Sequence, residues 1–99
     1  MAALRIELQD GFEDDEVVCT VGGREVARRP AVRTDLRISR ADAIALDVPD
    51  ARLTVGVQVP ARGLAAELGL DPREHPYLIV RIVEGRLELR PTGDLPVYM

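Results

Sequence analysis

The 99-residue chain carries 13 basic and 17 acidic side chains, a net charge of -4 and a sequence pI near 4.9, so it lacks the basic surface that DNA or an anionic membrane would attract. Its length suits one core and no internal linker, and residues 1–99 are read as a single domain. Phe12, Tyr77 and Tyr98 are the whole aromatic complement, so the core is built from Val, Leu, Ile and Ala, and few platforms exist for stacking sugars or bases.

Leu4, Ile6 and Leu8 alternate with Arg5, Glu7 and Gln9, which predicts a first strand with one apolar and one charged face, ending at Asp10-Gly11. Glu16 to Val21 forms a second, with Val17, Cys19 and Val21 on one face and Val18 and Thr20 on the other, the pattern of a central strand covered on both sides. Gly22-Gly23 offers two residues able to take positive φ, the need of a tight primed turn, before a returning strand from Arg24 to Arg28.

Pro30 ends that strand or places it at an edge. Extended structure is then expected over Ala31 to Ile38, with Val32, Thr34, Leu36 and Ile38 on one face and Arg33, Asp35 and Arg37 on the other. Ser39 to Asp42 could cap one helical turn, but Ile44, Leu46 and Val48 restore the period of two and favour a bend followed by a strand.

Leu53, Val55, Val57 and Val59 make the clearest strand, closed by Pro60. Residues 63–70 fit a strand through Leu64, Ala66, Leu68 and Leu70, and a helix through Leu64 and Leu68; Gly63 and Gly69 leave too little length for a stable helix and tip the reading to strand. Asp71-Pro72 and His75-Pro76 mark a turn, and Tyr77 to Val83 pairs with Arg86 to Arg90 around Glu84-Gly85. Seven or eight short strands at this spacing predict an all-β fold, an antiparallel β-sandwich that is immunoglobulin-like in architecture only, since the Cys, Trp, Cys spacing is missing.

The chemistry is sparse. Asp10, Glu13, Asp14 and Asp15 crowd the first turn and form a candidate site for a hard cation such as calcium, although the spacing is not that of an EF-hand. Downstream lie Arg24, Arg28, Arg29, Arg33, Arg37 and Arg40 against only Glu25 and Asp35. On separate surfaces these opposite charges would join copies or an acidic partner; side by side they would form intramolecular ion pairs. All 13 basic residues are Arg, as a GC-rich bacterial genome would produce, which weakens any inference toward phosphate binding.

His75 and Cys19 are single, which excludes histidine clusters and an intramolecular disulfide; Cys19 lies on an apolar stripe and reads as a buried thiol. No phosphate-binding loop or dinucleotide fingerprint is present, and no cofactor is expected. Met1-Ala-Ala-Leu lacks the features of a signal peptide, and a cytoplasmic location is expected. The apolar tail with Tyr98 reads as a docking segment for the chain itself or a neighbour. The expectation is a non-enzymatic interaction or accessory module that associates with itself or another protein, with a divalent-ion or small-ligand domain at the acidic turn as the alternative.

Overall fold

A computed structural model describes residues 1–94. Its strands are β1 (Ala2–Leu8), β2 (Asp15–Val21), β3 (Arg24–Val32), β4 (Asp42–Val48), β5 (Leu53–Val59), β6 (Leu64–Leu70), β7 (Tyr77–Val83) and β8 (Arg86–Thr92), with a 3-10 turn, η1, at Pro60–Arg62. They form two four-stranded sheets, in the orders β4-β1-β7-β8 and β3-β2-β5-β6.

Alternation explains the core. Leu4, Ile6, Leu8, Ile44, Leu78 and Val80 from the first sheet join Val17, Cys19, Val55, Val57, Val59 and Leu70 from the second in one buried cluster, to which the β1–β2 turn adds Phe12. Val18 is buried on the opposite face of β2, which runs between β3 and β5. Gly22 and Gly23 both take positive φ, +60° and +81°, and close the β2–β3 hairpin.

Residues 64–70 resolve to a strand. Leu53 to Val59 pairs residue for residue with Leu70 to Leu64, and Gly63 in the left-handed region turns the chain out of η1 into β6. Tyr77–Val83 and Arg86–Thr92 pair without interruption around Glu84 and Gly85, both at positive φ.

Two expectations fail. The first sheet is mixed rather than antiparallel: Arg5 to Leu8 of β1 runs parallel to Tyr77 to Val80 of β7. The period of two reports which face a side chain occupies and carries no information on strand direction, so the sequence pattern could not distinguish the cases. The predicted strand over 31–38 is also absent. β3 extends to Val32, and the chain then leaves the sheet as a loop spanning 33–41, held by the isolated bridge between Asp35 and Arg40.

The loop forms because its hydrogen-bonding groups are satisfied away from a ladder. Thr34 N–H donates to the Phe12 carbonyl at 2.9 Å, and Thr34 Oγ1 donates to the Gln9 carbonyl at 2.6 Å while accepting from Phe12 N–H at 3.0 Å. Ile38 N–H returns to the Asp35 carbonyl at 3.2 Å, and Ser39 takes φ +53°, both incompatible with a continuing strand.

The sheets close along one side. β6 lies against β8, which brings those edges together. On the other side, β3 and β4 are both edge strands, tied by the 33–41 loop and by Arg29 Nε to Asp42 Oδ2 at 3.6 Å. Among the described residues, this second side is the open one.

Candidate interaction surface

The acidic turn folds inward at one carboxylate. Gly11, at φ +92°, is pressed so closely on the Ile82 backbone that a Cβ there would enter the Ile82 carbonyl oxygen. This approach seats Phe12 in the core and carries the chain back through Asp14, at φ +56°, into β2. Asp15, first in β2, is buried and accepts from three donors: Arg62 Nε to Oδ1 at 3.0 Å, Arg62 Nη2 to Oδ2 at 2.7 Å, and Glu13 N–H to Oδ2 at 2.8 Å. Arg62 Nη2 also donates to the Gly11 carbonyl at 3.1 Å, so η1 clamps the turn from below.

The other carboxylates of that turn diverge. Asp14 Oδ2 accepts from Arg33 Nη2 at 2.6 Å in an exposed pair, while Asp10 contributes its carbonyl to Ile82 N–H at 2.8 Å. No three carboxylate, histidine or cysteine side chains converge to hold a metal ion among the described residues. Arginine guanidinium groups neutralise Asp14 and Asp15, the role a cation would otherwise fill there.

The arginine segment and the acidic groups lie side by side. Arg28 reaches Glu25 at 2.6 Å and Glu16 at 2.8 Å, Arg29 faces Asp42, Arg33 holds Asp14, and Arg37 grips Asp35 through Nε at 3.1 Å and Nη2 at 3.0 Å. Arg24 is exposed at the start of β3. The Arg28 hydrogen bond holds the Glu25 carboxyl below its usual range, and the Arg37 side chain and backbone N–H do the same for Asp35. Of the two arrangements open to these segments, the geometry is that of intramolecular pairing.

Glu7 lies on the charged face of β1, yet that face does not open to solvent at this position. Its side chain is fully buried, with Arg5 Nε 2.6 Å from Oε1 and Arg40 Nε 3.3 Å from Oε2. Arg40 thereby fastens the far end of the 33–41 loop to the outer face of β1, and Ala41 N–H adds a bond to the Leu8 carbonyl at 2.7 Å. Thr34 fastens the near end, so the intervening residues project as a short, stapled tip.

That tip is apolar. Leu36 is 88% exposed and Ile38 37%, between a cleft of about 520 Å³ lined by Phe12, Glu13, Asp14, Arg33 and Thr34 and another of about 450 Å³ lined by Asp35, Arg40, Ala41, Asp42 and Ala43. A leucine so exposed on a loop held at both ends gains nothing for the isolated fold.

Burial pushes the Cys19 thiol up to about 11, outweighing the nearby Arg29 charge, so it stays protonated and unreactive at neutral pH. His75 sits in the turn after β6, its N–H bonded to the Asp71 carbonyl at 2.8 Å. Tyr98 lies outside the described residues. Among the described residues, no helix is long and apolar enough to cross a membrane. No protein family, curated protein or solved structure matches this chain.

Proposed function

We propose that the chain is a non-enzymatic interaction module of β-sandwich architecture whose contact surface is its open side: β3, the 33–41 loop and β4. The observation that carries the reading is Leu36, 88% exposed on a loop stapled by Thr34 at one end and by the Arg40–Glu7 pair at the other. A prearranged tip that presents Leu36 beside a charged pair and between two clefts has the form of a contact point, because ordering it beforehand reduces the entropy lost on association. Two four-stranded sheets around one core support the sandwich description; an immunoglobulin-like label rests on strand number, and no function is drawn from it. The paired arginines give the rim a fixed charge pattern that selects orientation more than affinity.

A photo-crosslinking side chain placed at Leu36 tests this in the source cells, with the same probe at Arg86, across the molecule on β8, as the control. A discrete adduct from position 36 and none from 86 is expected. Equal labelling from both positions would overturn the reading.

A further inference from the structure

The four sheet edges are not equally open. β6 and β8 lie against one another, and β8 carries Pro91. β3 is spoiled as a template by two register shifts against β2, by Pro30 and by Ala31 at φ +52°. Those are ordinary defences of an edge. β4 has none of them: all seven of its residues pair with β1 in unbroken register, from Asp42 against Leu8 to Val48 against Ala2.

The outward-facing backbone groups of β4 can be deduced. Arg5 and Gln9 send their N–H groups toward the β7 side, to Pro76 and Val80 carbonyls at 2.8 Å each. Alternation then directs the backbone of Leu4, Ile6 and Leu8 toward β4, and that of Leu46, Ile44 and Asp42 back toward β1. Ala43, Ala45 and Asp47 are left with N–H and C=O groups facing away from the sheet. The Ala43 N–H confirms the direction, because it is taken by its own neighbour's carboxylate, Asp42 Oδ1, at 2.8 Å rather than by β1.

From this edge we infer that a second copy of the chain adds its own β4 antiparallel to the first, about a two-fold axis through Ala45, to make one eight-stranded sheet. The inference rests on the reading of the open side as a contact surface and names its occupant. In this register Ala45 meets the partner's Ala45, and Ala43 meets the partner's Asp47, so the outward groups of each strand face those of the other, and the Ala43 N–H exchanges Asp42 Oδ1 for the partner's Asp47 carbonyl. Ile44 then lies beside the partner's Leu46 on the core side.

The charge pattern favours a second copy over an arbitrary peptide. Asp47 is exposed and makes no ion pair among the described residues. In the paired sheet the partner's Asp47 stands in the same row as Ala43 and Glu7, whose carboxylate carries the Arg40 guanidinium at 3.3 Å. Arg40 and Ala43 line one open cleft, on the side from which the partner's Asp47 would approach in this register. The two-fold repeats that contact, so each interface holds it twice. The cleft at the start of β4, lined by Ile38 and Ala41, lies where the end of the partner's β4 would arrive.

Cysteine placed at Ala45 reports the axis directly. In a hydrogen-bonded antiparallel pair the two Cα atoms are about 5.5 Å apart, within disulfide range. At Ala43 the same residues of two copies are four positions out of register, separated by about 13 Å along the strand. Under mild oxidation Ala45→Cys is expected to form a covalent dimer and Ala43→Cys to remain monomeric, with buried Cys19 inert in both. Sedimentation of the unmodified chain should show a monomer–dimer equilibrium, weakened about tenfold in Asp47→Arg by placing like charges together twice.

Equal cross-linking of the two cysteine variants, or a native chain that remains monomeric at millimolar concentration, would overturn the pairing. If position 36 still yields its discrete adduct, the strand pairing alone is lost and the interaction reading stands. Loss of both removes the contact surface itself.

Discussion

Removing Arg62 should destabilise this protein more than removing an arginine whose carboxylate partner is itself exposed. Its guanidinium supplies two of the three hydrogen bonds to Asp15, whose side chain is only 7% exposed, and a further bond to the Gly11 carbonyl. Arg62→Ala leaves that carboxylate with the Glu13 N–H alone. Breaking a fully buried pair from one side costs about 3–5 kcal/mol; with Arg62 32% exposed, water can replace part of the loss, and about 2 kcal/mol is expected. For a domain of this size that lowers the melting temperature by about 8–16 °C. Urea denaturation and thermal melts read the effect, with Arg37→Ala, at a highly exposed pair, as the comparison. Equal stability of the two variants would refute the argument that the clamp on Asp15 organises the turn.

Further outcomes follow from the same geometry. Gly11→Ala drives a Cβ into the Ile82 backbone at φ +92° and should cost at least about 3 kcal/mol, whereas Gly85→Ala, at φ +73° with open space, should cost about 1 kcal/mol; chemical denaturation separates them. The Asp71 carboxyl accepts from the Arg73 side chain and backbone N–H, which lowers it from 3.8 to about 2. Because the folded value lies below the unfolded one, this contact contributes stability fully above about pH 4 and loses it as pH falls through 2. An NMR titration should find the Asp71 midpoint near 2 and return it toward 3.8 in Arg73→Ala; an unshifted midpoint in the native chain would contradict the pairing. Calcium is expected to leave the melting temperature unchanged, since Arg62 and Arg33 already engage Asp15 and Asp14; a concentration-dependent rise would restore the acidic turn as a cation site.

The parts of the fold readable from sequence are those in which a residue's neighbours along the chain determine its surroundings. The alternation of Leu53 to Val59 and the Gly22-Gly23 turn needed only local information, and both strands and hairpin stand. The interval 31–38 shows where such information misleads. Val32, Thr34, Leu36 and Ile38 alternate as a strand would, but Thr34 bonds to the β1–β2 turn and Leu36 ends in solvent. Strand direction was equally hidden, because β1 and β7 meet from opposite ends of the chain.

The site was less legible than the fold, for the same physical reason. Arg62 is 47 residues from Asp15, and nothing in Pro60-Ala-Arg-Gly announces that η1 lies beneath the acidic turn. Glu7 alternates as the charged face of an amphipathic strand does, and only the folded chain sets Arg5 and Arg40 around it. The arginine segment was visible as a run of charge, yet its partners Asp14, Glu16 and Asp42 became identifiable only through the β2–β3 hairpin and the approach of β4. Exposure of Leu36, the feature that carries the functional reading, is a tertiary property that a hydrophobic residue in a predicted strand does not suggest.

The most direct test of the contact surface is a pair of amide NMR spectra of the native chain at micromolar and millimolar concentration. Shifts are expected to be confined to the 33–41 loop and β4, centred on Ala45, with the β6 and β8 amides unmoved. Shifts gathered along β6 and β8, or spectra identical at both concentrations, would contradict self-recognition through the open side.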